Sequence, residues 1–251
     1  MMRGAVCIWE RDMLVLRRNW FSEVTTVLAF PLTFFLTFGL GLQGYIQNIE
    51  GVSYAIFVTP GLISMTAVLA AFDDGAWSMW FHRIVQKTIE EYRVNPITVM
   101  DIIIGKIISG FSSGLFKGLA VGVSLLLLTG FQFRPYFLLV YLLFIFLGCV
   151  TFSCLGSLVG TLVDKPENLG RIEAVVIMPV MFIAGLFFPL SAYPKGALPY
   201  IKAIPTTALF DGARIALLSG RLNPIYLGIL TASAIISFIL AVRLFEKKMH
   251  G

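Results

Sequence analysis

Charge is what this chain has least of. Asp, Glu, Lys and Arg make up 13% of its 251 residues, about half the share of a soluble domain. That scarcity excludes a large water-exposed domain. Cysteine is sparse too. Cys7, Cys149 and Cys154 form no disulfide framework, and the last two fall in an apolar stretch, where a free thiol behaves as a small hydrophobe. The two histidines, His82 and His250, are far apart and neither has a ligand partner at metal spacing, so neither a metal nor a cofactor of its own is expected. No Ser/His/Asp arrangement marks a catalytic site. No phosphate loop of the form GxxxxGK(S/T) occurs, since Gly105-Lys106 is followed by Ile107. An ATPase serving this chain would therefore be another polypeptide. No basic run of the kind used for nucleic acid is present either.

What is abundant is apolar. Hydrophobic residues reach 58% and mean hydropathy is +0.88. A spanning helix needs about 20 mostly apolar residues. Six segments qualify: Val24–Leu42, Ala55–Trp77, Ile102–Leu128, Tyr136–Val163, Ala174–Leu190 and Pro224–Phe245. The expected fold is an all-α polytopic membrane protein, one transmembrane domain over residues 1–251, with short connections. The first 22 residues interrupt their apolar stretches with Arg3, Glu10, Arg11 and Asp12, unlike a signal peptide. Trp9, Met13, Leu16 and Trp20 recur there at helical spacing, with Ile8 alongside. Such a helix lies in the membrane interface.

The segment after the fifth span is greasy but carries Pro194, Gly196, Pro199 and Pro205 together with Lys195 and Lys202. Proline removes a backbone donor, and in lipid every backbone polar group needs an internal partner. Residues 191–220 are therefore expected as short re-entrant helices held against protein. Positive charge orients the whole. With the N-terminus inside, the inner segments hold Arg3, Arg11, Arg17 and Arg18; Arg83, Lys87, Arg93 and Lys106; Lys165 and Arg171; and Arg243, Lys247 and Lys248. That is 13 of the 19 basic residues, so both termini are expected in the cytoplasm.

Four features bear on function. Residues 82–101, from His82 to Asp101, form the longest inner connection. Lys87 with Glu91, and Glu90 with Arg93, are spaced as helical ion pairs, and Asn95-Pro96 then ends the helix. It is either a solvated loop helix or a docking helix for a cytoplasmic partner. Asp73-Asp74 sit near the inner end of the second span with no third acid beside them in sequence, so a helix-end charge or a partner contact fits better than a metal. Lys117 lies within a span. It lines a route for an anionic headgroup, snorkels, or pairs with a carboxylate. Glycines recur at four-residue spacing in the third and fourth spans, among them Gly110, Gly114, Gly118, Gly156 and Gly160. Both within-chain packing and contacts to a second copy fit that pattern.

Three stretches carry a resemblance: Phe57-Val58-Thr59-Pro60-Gly61-Leu62-Ile63; Asn95-Pro96-Ile97 followed by Asp101-Ile102-Ile103-Ile104-Gly105-Lys106; and Gly185-Leu186-Phe187-Phe188-Pro189, then Leu198-Pro199, Pro205-Thr206-Thr207, Asp211 and Arg214. Together with the order of spans, they resemble the permeases of ABC transporters called type-2 exporters, most closely those for nodulation lipo-oligosaccharides and daunorubicin-type drugs. The resemblance implies a permease, not an enzyme, in a bacterial or archaeal plasma membrane. It also implies a second permease copy, surrounding lipid, and a cytoplasmic ABC ATPase that holds the ATP and Mg. It implies that His82, Arg83, Lys87, Glu90, Glu91 and Arg93 belong to a coupling helix, with Asp164 and Arg171 in a second, smaller contact. It places the fifth span at the dimer interface, and Phe187, Phe188, Pro189, Tyr193 and Pro205 along the exit path or its gate. The rival expectation is a membrane-embedded lipid-modifying enzyme, resting on Asp73-Asp74 and Lys117.

Overall fold

A computed structural model describes residues 2–41, 48–87, 98–130 and 134–250. Regular structure among them is helical, apart from one isolated bridge between Ile49 and Val52. Helix α1 (Met2–Arg18) turns at Asn19 into α2 (Trp20–Leu40). Then come α3 (Tyr54–Val85), α4 (Val99–Thr129) and α5 (Pro135–Leu162). A broken helical run over 166–183, here α6, is followed by α7 (Leu198–Ala203), α8 (Pro205–Ser219) and α9 (Pro224–His250).

Among the described residues, five helices, α2, α3, α4, α5 and α9, are long and apolar enough to cross a membrane. Their ends follow local chemistry. Thr98 and Asp101 close a capping box at the start of α4. Pro135 and Pro205 open α5 and α8 at a position where no donor is missed. Gly220, at φ +67°, ends α8 in the left-handed conformation that glycine accepts most readily.

Helix α3 is the axis of the bundle, and its most apolar window is 89% buried. It packs chiefly on α4 and α5. Glycines set the spacing. A Cβ on Gly156 would lie 2.1 Å from the Phe72 carbonyl oxygen, and one on Gly114 would lie 2.4 Å from that of Ala67. The four-residue glycine rows of α4 and α5 thus serve packing within the chain. Helix α1 lies on α4 the same way: Gly105 faces the Ala5 carbonyl and Ile8, and both of those residues are buried.

The fifth apolar segment departs from expectation. Helix starts at Pro166 rather than Ala174 and passes through a π-helical turn, Glu173–Ile177. It stops at Ile183, seven residues short of Leu190. Gly185 takes φ +79°, and the carbonyls of Gly185 and Leu186 turn toward Arg214 instead of the helix axis. Beyond it, residues 190–219 fold as a short 3₁₀ turn, α7 and α8, and α8 packs against α3, α5 and α9.

Candidate functional site

Arg214, on α8, is 1% exposed. Its guanidinium donates to the carbonyls of Phe57 (3.1 Å), Gly185 (2.7 Å) and Leu186 (3.0 Å), and it meets Asp211 Oδ1 at 3.4 Å. Its carbon lies 3.8 Å from the Phe57 ring centroid. A buried cation is stable only when its donors are used, and here they tie three chain segments together. Leu186 is fixed from the other side: a Cβ on Gly61 would lie 2.6 Å from its side chain. Phe187, 2% exposed, packs on Phe34 and Phe182 with ring centroids 4.0 Å and 4.8 Å away. Phe188 is 55% exposed. Tyr193 and Pro205 are half-buried, as is Pro189.

The opposite end of α3 carries a second clamp. Arg83 donates to Asp164 Oδ1 at 2.8 Å, to the Val163 carbonyl, and to the Gly160 carbonyl at 3.4 Å. Trp80 Nε1 donates to the Asp164 carbonyl at 2.9 Å. These bonds take up the carbonyls left open where α5 ends. The hydrogen bond from Arg83, and then its charge, hold the Asp164 carboxyl below the usual carboxylate range. Arg171 donates to Asn168 at 3.1 Å, His82 meets Gln86 at 2.6 Å, and Lys87 is exposed with φ +53°. Trp80, Ile84, Asp164, Lys165 and Arg171 line one shallow cavity on this face. Phe57 and Arg83 are 26 residues apart on α3, about 39 Å at helical rise. One helix therefore joins both clamps.

Between them runs a groove with charged walls. Lys117 Nζ lies 2.8 Å from Glu23 Oε2, bridging α4 to α2. Asp74 lines the groove on the α1 side of this pair, and Asp73 and Glu173 line it on the α6 side. At its α1 edge, Lys106, 2% exposed, is held by Asp12 at 2.7 Å and by the Ser78 hydroxyl. Burial alone would raise the Asp12 carboxyl, but Lys106 and Arg11 outweigh it and the net shift is downward.

The structure joins residues that the sequence placed in separate roles. Arg83 of the expected coupling helix and Asp164 of the expected second contact bond to each other. Phe187 and Phe188 part, one buried and one exposed. Glu90, Glu91 and Arg93 lie outside the described residues. Lys117 takes the carboxylate-pairing alternative. Sequence reasoning did not single out Arg214, Lys106, Glu23 or Glu173 as site residues. A signal existed for the first: a lone arginine three residues after an aspartate, inside an otherwise apolar helix, needs a buried partner.

A helical, multi-pass bundle with five membrane-length helices and no soluble domain among its described residues is a membrane protein of the permease kind. Residues 5–218 match the ABC-2 type transporter family, and the chain belongs to that family. It is 24% identical over 247 residues to Nodulation protein J of Rhizobium meliloti (strain 1021), covering 97% of this chain and 93% of the relative. Inner membrane transport permease YadH of Escherichia coli (strain K12) is 27% identical over 234 residues, covering 93% and 89%. Nodulation protein J of Bradyrhizobium diazoefficiens is 26% identical over 244 residues, covering 96% and 92%.

Proposed function

We propose that the chain is the membrane subunit of an ATP-driven exporter that moves an amphiphilic molecule out of the cytoplasm or inner leaflet. A lipid-linked glycan, a lipo-oligosaccharide or a hydrophobic drug fits that description. The observation that carries the reading is α3. It is one long buried helix, clamped near its end through Arg83 to the α5–α6 connection and near its start through Phe57 to Arg214 and the Gly185–Leu186 turn. A machine driven from one side needs a stiff element with two arrangements, each favoured by a different ligand state.

In this reading the Arg83 end faces the cytoplasm, where positive residues concentrate. Residues 82–98 and the Asp164–Arg171 turn dock on a separate ABC ATPase, which holds the nucleotide and its Mg. The run over 166–183 is the sixth crossing and meets a second copy of the chain. At about 27 Å of helix it is short, but close to the hydrocarbon thickness of a bilayer. The 3₁₀ turn, α7 and α8 are the re-entrant lid on the far side, and the Arg214 knot sets its closed position. Phe187 seals the lid while Phe188, Pro189, Tyr193 and Pro205 border the exit. Both termini are cytoplasmic, in an inner membrane.

The test is a Glu90→Ala/Glu91→Ala double variant, co-expressed with an ATPase carrying GxxxxGK(S/T). Transport and its stimulation of ATP hydrolysis should fall while membrane insertion stays intact. Coupling at the wild-type level in the inserted variant would refute the docking role.

A further inference from the structure

We infer that the groove between α2, α3, α4 and α6 binds the ammonium group of a cationic amphiphile. This deepens the exporter reading and rests on it. The charge balance of the walls is the first observation. Lys117 is matched by Glu23, and Arg11 and Lys106 both share Asp12. Among the described residues, Asp73, Asp74 and Glu173 have no cation within ion-pair distance. Asp73 and Asp74 lie on α3, the buried axis of the bundle, where an uncompensated carboxylate is costly and marks a working site; Glu173 faces them from the half-buried side of α6.

The second observation is independent of that balance. The Ser113 hydroxyl faces the cavity on the Asp74 side from α4, its residue is 1% exposed, and the oxygen, beside Asp74, has no partner at normal hydrogen-bond distance. Asp73 Oδ1 is buried and likewise lacks a partner. A buried polar atom without a partner is expensive, and the N–H donors of an ammonium arriving beside Ser113 and Asp74 would satisfy it, with Asp73 and Glu173 facing the Lys117–Glu23 bridge from its other side. The rim suits the rest of such a ligand. Trp77 is 42% exposed and Phe30 45% exposed on the two sides of the Lys117–Glu23 bridge. Indole and phenyl faces hold both alkyl chains and quaternary ammonium groups. The Lys117 ammonium, next to Glu23, already shows that the groove accepts a cation.

Recognition of this kind is read by tryptophan fluorescence. All four tryptophans are Trp9, Trp20, Trp77 and Trp80, and the last two line the groove. The full-length protein, in micelles of a non-ionic maltoside detergent, is titrated with a doxyl-labelled hexadecylammonium. Matching doxyl-labelled hexadecanol and hexadecyl sulfate serve as controls. The cation should quench saturably at about tenfold lower concentration than the alcohol, and Asp73→Asn/Asp74→Asn should raise its half-saturation at least about tenfold. Glu173→Gln is a second, milder variant and should shift it in the same direction. Lys117→Met, which releases Glu23, should leave binding unchanged or tighten it. Equal quenching by cation and alcohol would overturn the proposal. So would preferential sulfate binding that Lys117→Met abolishes, since the groove would then be an anion site. Displacement of the probe by phosphatidylethanolamine would identify a lipid amine as the natural source of the ammonium; no displacement would identify a diffusible amphiphile. The assay contains no ATPase, so its failure leaves the coupling reading to be judged by the Glu90/Glu91 variant.

Discussion

Replacing Arg214 with methionine removes the charge and the guanidinium fork but keeps most of the apolar stem. Three carbonyls, those of Phe57, Gly185 and Leu186, lose a charged donor, each bond worth about 1.5–3 kcal/mol. The contact with the Phe57 ring adds about 2 kcal/mol when desolvated. Burying the guanidinium takes several kcal/mol back. The net loss should be about 3–5 kcal/mol, the range for breaking a buried charged network. For a chain of this size that corresponds to a fall of roughly 10 °C in Tm. Cys149 and Cys154 are 0% exposed, whereas Cys7 is exposed. In a Cys7→Ser background, a thiol-reactive coumarin therefore reports unfolding in detergent. Arg214→Lys keeps the charge but cannot span three carbonyls, so it should fall between wild type and Arg214→Met. Asp211→Asn touches only the 3.4 Å contact and should cost least. A methionine variant as stable as wild type, or a lysine variant equal to it, would refute the view that the fork ties the Gly185 turn to α3.

Three further outcomes follow from the same geometry. Lys106→Met leaves the half-buried Asp12 beside only Arg11 and should destabilise by about 3 kcal/mol; Asp12→Asn combined with Lys106→Met should cost less than the two changes added, as a coumarin melt would show. Gly156→Ala drives a methyl to 2.1 Å from the Phe72 carbonyl and should lower Tm strongly, whereas Gly228, on α9, meets nothing within 4 Å, so Gly228→Ala should be neutral or stabilise by up to about 1 kcal/mol. The Asp164 carboxyl has its pKa lowered in the folded chain by Arg83. Its stabilising contribution is therefore complete above the ordinary carboxylate value of about 4 and is lost as pH falls through the lowered value. Wild type should lose more stability than Asp164→Asn over that acid interval; identical slopes would mean that the ion pair contributes nothing.

Much of the architecture was legible because lipid leaves few options. Long apolar runs had to be helices, and five of the six expected segments are membrane-length helices, although α3 runs eight residues past its expected end at Trp77. The fifth was misjudged at both ends because hydropathy does not register backbone direction. Leu186 and Phe187 are apolar enough for a span, yet the left-handed Gly185 and the pull of Arg214 on two carbonyls end the helix before them. Motif reasoning reached the three stretches that carry the resemblance but not their meeting point. Phe57, Gly185 and Arg214 are far apart in sequence, and only the fold shows that one guanidinium serves all of them. Lys117 shows the same limit. A lone lysine in a span announces a partner, but nothing in the spacing distinguishes Glu23, on another helix, from the nearer Asp73 and Asp74. The glycine rows were ambiguous for a different reason: a small residue permits close approach without saying to what. Their neighbours, the Phe72 and Ala67 carbonyls, supply the answer.

The central claim is that ATP hydrolysis on a separate subunit drives this chain to move an amphiphile across the membrane. Its most direct measurement is efflux of a fluorescent amphiphile from proteoliposomes containing the purified chain and the partner ATPase. Efflux should require both proteins and hydrolysable ATP, and should drop sharply when Arg83→Ala breaks the clamp between α3 and the α5–α6 turn. Movement or lipid turnover by the permease chain alone, equal with and without ATP, would contradict it.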